Sequence, residues 1–218
     1  MKKLLIANRG EIAIRIARAA KESGLSTVAI YAEDDAASLH VQRADEAMAL
    51  QGRGAKAYLD IEQIVAVAVD GGCDGVHPGY GFLSENPGFA KAVAAAGLTF
   101  VGPSVEALGM FGDKAQARAL AAAHGVPVLA GISHAISLAE AESFFAEYAQ
   151  TGILLKAIAG GGGRGMRIVR SADELADAYS RAASEARAAF GQDGLYAEQL
   201  VGSARHIEVQ IIGDGSGA

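Results

Sequence analysis

Apolar and polar positions alternate along this chain with two different periods, and the periods trade places in order. Residues 3–7 form a short apolar run that predicts a strand, and a helix over about 10–23 follows the turn Asn8-Arg9-Gly10. Ile12, Ile16 and Ala20 fall on one face of that helix, with Arg15, Arg18 and Glu22 largely elsewhere, and Gly24 stands where a helix ends. Strands are predicted again at 27–32, 47–50, 75–77 and 99–101, separated by helices over 60–69 and 86–96. Strand and helix in strict alternation predict a parallel sheet covered on both sides, with ligands outside the carboxyl ends of its strands.

The rhythm changes after Ser104. Two short alanine-rich helices are predicted at 105–111 and 114–124, with Asp113 as an N-cap and Lys114 in the first turn behind it. A cation there opposes the helix dipole, a mild misplacement that an anion would compensate. Helices over 138–150 and 171–190 each begin with a capping-box pattern, Ser137-Leu-Ala-Glu140 and Ser171-Ala-Asp-Glu174. On the second, Leu175, Tyr179, Ala182, Ala186 and Ala189 form the face expected to pack on a sheet. Between them lies LLKAIAGGGGRGMRIVR, residues 154–170: an apolar strand carrying Lys156, a run of glycines, and a returning strand at 166–169. Strands are also predicted at 196–201 and at 206–212, where His206, Glu208 and Gln210 alternate with Ile207, Val209 and Ile211. Residues 213–217 read as a hairpin turn.

Composition narrows the classes. Hydrophobic residues make up 51% and charged residues 20% of the 218, a globular balance rather than a disordered or membrane one. The formal net charge of −6 argues against general binding to nucleic acid or anionic membranes, while leaving room for a local basic pocket. The single cysteine, Cys73, leaves no internal disulfide and no thiolate metal cluster, which fits a reducing cytoplasm. The apolar run after Met1-Lys2-Lys3 is too short for a signal peptide or a span.

Three stretches carry candidate chemistry. The first βαβ unit ends at Glu33, which invites a dinucleotide reading, but G-x-G-x-x-G is absent: the first turn is N-R-G-E-I-A, and Glu33 is expected to be a solvated strand end. The decapeptide HPGYGFLSEN, residues 77–86, gathers small, aromatic and acidic groups at a strand end, a pattern of binding loops as well as of ordinary turns. The glycine run at 160–163 is not a P-loop, since the lysine precedes it on a strand and a strand follows. It reads either as a flap of bare N–H groups over an anion, with Lys156 beneath, or as a surface linker. No Ser-His-Asp arrangement, catalytic carboxylate pair or metal-ligand cluster stands out.

Together IANRGEIA (6–13), HPGYGFLSEN (77–86), MFGDK (110–114), KAIAGGGGRGMR (156–167) and RHIEVQ (205–210) resemble biotin carboxylase, in order and from end to end of the chain. The resemblance implies a Rossmann-like N-terminal domain over 1–113. An incomplete ATP-grasp domain would follow over 114–218, with an α+β glycine-rich lid at about 131–204. It implies use of MgATP (or MnATP) and bicarbonate to form carboxyphosphate and carboxylate biotin on a carrier protein. By motif match Lys114 and Lys156 would bind ATP phosphates, and Gly162 and Gly163 would lie in the flap. Glu198, Gln199, Leu200 and Val201 would hold adenine, and His206 would approach the nucleotide. Tyr80 and Gly81 would line the biotin side. The family's metal-binding glutamates and bicarbonate-binding residues are expected beyond Ala218, so no catalytic or metal residue is assigned here, and the 218-residue chain alone is expected to be inactive. The family further implies a biotin carboxyl carrier, a carboxyltransferase and a homo-oligomer. The alternatives are another ATP-grasp ligase, or a non-catalytic structural or dimerisation module.

Overall fold

The computed structural model describes residues 1–112, 114–132, 134–158 and 165–213. The chain divides into two compact units, Met1–Asp113 and Lys114–Ala218.

The first unit is a five-stranded parallel sheet in the order β3-β2-β1-β4-β5. Its strands are β1 (Lys3–Ile6), β2 (Ser26–Tyr31), β3 (Glu46–Ala49), β4 (Gly75–His77) and β5 (Thr99–Phe100). Successive side chains of β1 point to opposite faces, and both are buried. Leu4 and Ile6 pack against Ala13, Ile16, Ala17 and Ala20 of α1 (Gly10–Glu22). Leu5, with Val28, Ile30 and Val76, faces a core containing Ile64 of α3 (Ile61–Asp70) and Phe89 and Val93 of α4 (Pro87–Ala95). Each such aliphatic side chain contributes about 1.5–3 kcal/mol when fully buried. Helix starts are marked in the sequence: Asp60 accepts from the Gln63 N–H at 3.0 Å, and Asn86 accepts from the Phe89 N–H at 3.1 Å with Pro87 behind it. The short helix α2 (Leu39–Arg43) and two 3₁₀ segments, Glu33–Asp35 and Gly54–Leu59, lack an apolar period long enough to announce them. Helix α5 (Val105–Gly112) completes the unit.

The second unit contains α6 (Lys114–Ala123), α7 (Leu138–Glu147), β6 (Ile153–Ala157), β7 (Met166–Val169), α8 (Ala172–Phe190) and β8 (Leu195–Gln199). The three strands form an antiparallel sheet, β7-β6-β8, with β6 in the middle. One face, Ile153, Leu155, Val169 and Ala197, packs on Ala141, Phe144 and Phe145 of α7 and Leu175 of α8. Ala157 and Leu195 continue that face against Ala182 and Ala186. At α7 the full reciprocal box is present: Ser137 Oγ accepts from the Glu140 N–H at 3.3 Å, and the Glu140 carboxylate accepts from the Ser137 N–H at 2.7 Å. At α8 the Glu174 carboxylate accepts from the Ser171 N–H at 3.0 Å.

Three expectations change. Residues 206–212 are not a strand but irregular backbone, with Ile207, Val209, Ile211 and Ile212 exposed. Alternation selects a face, but a strand also needs a neighbour for its ladder, and no described residue pairs with this segment. Helix α7 ends at Glu147 rather than 150. Ala189 is exposed, because the buried stripe of α8 runs only through Leu175, Ala182 and Ala186.

Candidate functional site

Chemistry gathers in two places, one in each unit. In the first it lies at the carboxyl edge of the parallel sheet. The chain leaves β1 toward β2 on one side while β4 lies on the other, so the strand order reverses between β1 and β4. Asn8, buried at the end of β1, spans that point: its Nδ2 donates to the carbonyls of Pro78 at 2.7 Å and Tyr80 at 2.8 Å. The position next to the β1 turn, where a dinucleotide fold brings backbone close to pyrophosphate, is thus taken by a carboxamide. Gly79 has φ +66°, and a Cβ there would stand 2.8 Å from Asn8 Nδ2, so this close approach requires glycine. Gly81 repeats φ +66°, and Phe82 holds φ +40°, with its ring 5.3 Å from that of Tyr58. Tyr80 between them is 64% exposed. His77 Nδ1 accepts from the Gly79 N–H at 3.0 Å, and burial pushes the His77 pKa down.

Behind this loop sits a polar network that the sequence did not announce. Asp35, buried, accepts from Arg9 Nη2 at 2.7 Å, Tyr58 Oη at 2.8 Å and Ser38 Oγ at 3.1 Å. The Tyr58 oxygen in turn accepts from the Ala32 N–H at 3.2 Å. Burial raises the Tyr58 pKa above its usual value, with the donated bond to Asp35 adding to it. Glu33, two residues away, is exposed as expected, its carboxylate accepting from the Gly52 N–H at 3.1 Å.

The second cluster lies on the outer face of β7-β6-β8. The register pairs Lys156 with Tyr196 and Met166, and Leu154 with Glu198 and Ile168, so these six side chains share the face that α7 and α8 leave uncovered. Glu198 is only 7% exposed, and both of its oxygens are engaged. Oε1 meets Arg118 Nη1 of α6 at 3.0 Å, and Oε2 pairs with Lys156 Nζ. Lys156 Nζ also stands 5.9 Å from the centre of the Tyr196 ring. Burial, with the Glu198 charge second and Arg118 opposing, pushes Tyr196 up to about 12. Arg118 Nη2 donates to the Leu129 carbonyl, and its Nε is buried without a hydrogen-bond partner among the described residues. Residues 130–132 run beside β8: the Ile132 N–H donates to Ala197 O and the Gln199 N–H to Ala130 O, each at 2.9 Å. Gly131, bridged to Glu198, has no room for a side chain, since a Cβ would lie 2.8 Å from Ala197 O and 3.1 Å from Arg118 Nη2.

Lys156 and Glu198 thus come together on adjoining strands, Gln199 pairs with Ile153 on the other face of the sheet, and Leu200, buried, continues β8 with its N–H donated to Gly152 O at 3.0 Å. Val201 is exposed. Lys114 opens α6. Gly162 and Gly163 lie outside the described residues. His206 is in the irregular segment, exposed, with Nε2 3.6 Å from Glu208 Oε2. Lys156 is on the central strand, with a neighbour strand on either side. Sequence reasoning missed Arg118, Asn8, Asp35 and Tyr58. For Arg118 a signal existed: it is the one charged residue between Lys114 and His124 in an alanine-rich helix. For the other three the cross-chain partners, Arg9 and Tyr58 on Asp35 and the Pro78 and Tyr80 carbonyls on Asn8, lie 23 to 72 residues away and left no local trace.

Family models match almost the whole chain in two segments: biotin carboxylase, N-terminal domain, over residues 1–108, and the ATP binding domain of the carbamoyl-phosphate synthase L chain over 113–218. The chain belongs to the biotin carboxylase family. Among curated relatives, the mitochondrial pyruvate carboxylase of Rattus norvegicus is 53% identical over 221 residues, covering 100% of this chain and 19% of that protein. The chain therefore spans about a fifth of the length of the curated relatives it matches. The biotin carboxylase domain of Hydrogenobacter thermophilus 2-oxoglutarate carboxylase, crystallised with MgADP, ADP and bicarbonate, is 43% identical with a TM-score of 0.85, over 92% of this chain and 44% of that one. Biotin carboxylase from Campylobacter jejuni, solved as a β-γ-ATP complex, is 40% identical with a TM-score of 0.87, over 92% of this chain and 45% of that one. The biotin carboxylase likeness thus covers fold and sequence together, and the second unit is of the ATP-grasp type. Among the described residues no helix is long and apolar enough to cross a membrane.

Proposed function

We propose that this chain is the ATP-binding part of a biotin carboxylase, which uses MgATP and bicarbonate, through carboxyphosphate, to carboxylate biotin on a carrier protein. The observation that carries the reading is the outer face of β7-β6-β8, where Lys156 stands on the central strand between apolar Leu154, Met166 and Ile168 and the buried Glu198. An apolar floor with one cation suits a nucleotide: the base covers Leu154, Met166 and Ile168, and the ammonium meets a phosphate. Lys114 is the second phosphate lysine, and Gly162 and Gly163 are assigned to the nucleotide by motif match alone, within a lid of about 131–204. Glu198 to Val201 read the adenine edge through their backbone. Because the Gln199 and Leu200 N–H groups are already donated to Ala130 and Gly152, that reading falls to Val201 and to carbonyl oxygens. His206 approaches the nucleotide, and Tyr80 and Gly81 face biotin, with the loop held by Asn8.

This chain's share of the work is binding and orientation. A metal accompanying ATP would supply charge neutralisation of the phosphates. Among the described residues, however, no group of three or more histidine, cysteine or carboxylate side chains is arranged to hold one. Biotin carboxyl carrier and carboxyltransferase modules, a homo-oligomeric assembly and a cytoplasmic setting complete the proposal.

The test is ADP release by the protein expressed from its own complete reading frame. Release that depends on both bicarbonate and biotin is expected. Release driven by ammonia or an amino acid would point to a different ATP-grasp ligase. The 218-residue chain by itself is expected to show no bicarbonate- and biotin-dependent turnover.

A further inference from the structure

We infer that Arg118 is a positioning residue that allows Glu198 to hand Lys156 over to the nucleotide. Glu198 is buried and its two oxygens hold two cations, Arg118 at 3.0 Å on one and Lys156 on the other. A lysine held this way is in place before any ligand arrives, but it is also occupied. To meet a phosphate it must leave a carboxylate, and a buried carboxylate with no remaining partner is costly. Arg118 removes that cost. Its guanidinium stays on Oε1, anchored from behind by the bond from Nη2 to Leu129 O, so Glu198 keeps a counter-ion whichever way Lys156 turns.

The surroundings fit a fixed cation beside a movable one. Arg118 is the more enclosed of the two, with 18% of its side chain exposed against 23% for Lys156. Gly131 leaves the space in which the guanidinium and the Glu198 stem meet, and a side chain there would displace both. Lys156 carries the chain into the glycine segment on an unbranched, four-carbon stem suited to swinging, whereas the planar fork of Arg118 suits staying.

The inference rests on the nucleotide-binding reading and is tested by MgATP titration calorimetry on the protein from its complete reading frame, with thermal unfolding alongside. Arg118→Met leaves Glu198 to Lys156 alone and is expected to weaken MgATP binding about tenfold or more. Arg118→Lys, which keeps the charge, should lose less than about threefold. Glu198→Gln keeps the backbone and releases Lys156, so it should bind MgATP at least as tightly as wild type. The double variant Arg118→Met/Glu198→Gln should return to within about threefold of wild type. A merely structural Arg118 would lower the melting temperature without that rescue of affinity. If Arg118→Met does not fold, Glu198→Gln still decides: weaker binding would mean that the carboxylate touches the nucleotide itself and would overturn the inference. Unchanged affinity in a folded Arg118→Met, with wild type binding normally, would overturn it alone. A wild-type protein that takes up no MgATP would overturn the nucleotide-binding reading first.

Discussion

The two units spend their buried charge in opposite ways. In the first, Asp35 is surrounded by Arg9, Tyr58 and Ser38, and Asn8 is tied to two carbonyls, so each group has its partners fixed by the sheet and its loops. In the second, Glu198 shares its two oxygens between two cations, Arg118 and Lys156, on a sheet face that α7 and α8 do not cover. A network with every valence met rigidifies; a carboxylate shared between two cations keeps one of them if a ligand draws off the other. The first arrangement suits holding a loop in shape; the second suits, on the proposed nucleotide reading, a lysine that exchanges its carboxylate for a ligand.

The largest expected effect comes from breaking the closed network. Asp35→Ala should destabilise the first unit by about 2–3 kcal/mol, chiefly because it leaves the buried Tyr58 hydroxyl without its acceptor. Hydrogen exchange at the β1 and β2 amides should rise, while amides of β6 keep their protection. Equal loosening of both units would show that the two are not energetically distinct.

Acid sharpens the same contrast. His40 is buried, its Nε2 lying 3.1 Å from Ile30 O, so that nitrogen carries the proton and donates. Its Nδ1 has no partner among the described residues. Burial, first of its causes, lowers the pKa below 6.5, as it does for His77, whose Nδ1 must be unprotonated to accept from Gly79. A base with a lowered folded-state pKa contributes stability that is present above 6.5 and lost as pH falls through the folded value. Lowering pH from neutral should therefore weaken the first unit before the second. In the second, Glu140 is held down to about 2 by the Ser137 N–H and hydroxyl, so its contribution is lost only between 4.5 and about 2. Imidazole titration by NMR, with urea unfolding at each pH, checks both windows. The smallest effect is Ser137→Ala, about 1 kcal/mol and local to α7, read from exchange at its first-turn amides.

Features set by local signals were legible in the sequence, and those set by distant partners were not. The parallel sheet was legible because β1, β2 and β4 are apolar on both faces, and the helix starts were legible because Asp60, Asn86 and Ser137 announce themselves within three residues. The Lys156 strand and the returning strand at Met166 were legible for the same reason. Asp35, Tyr58 and Asn8 were not, because the bonds that tie them into the core, Asp35 to Arg9 and Tyr58 and Asn8 to Pro78 and Tyr80, cross 23 or more residues. Residues 206–212 erred the other way. Their alternation holds from His206 to Ile211, but a pattern within one segment does not supply the neighbour that a ladder needs.

The central claim is that Lys156 waits on Glu198 for a nucleotide phosphate. Its most direct test is MgATP calorimetry on the wild-type protein from its complete reading frame and on Lys156→Ala, with thermal unfolding of both. Arg118 still neutralises Glu198 in the variant, so the melting temperature should stay close to wild type while affinity for MgATP falls about tenfold to a hundredfold. Equal affinity in the two proteins would contradict the account.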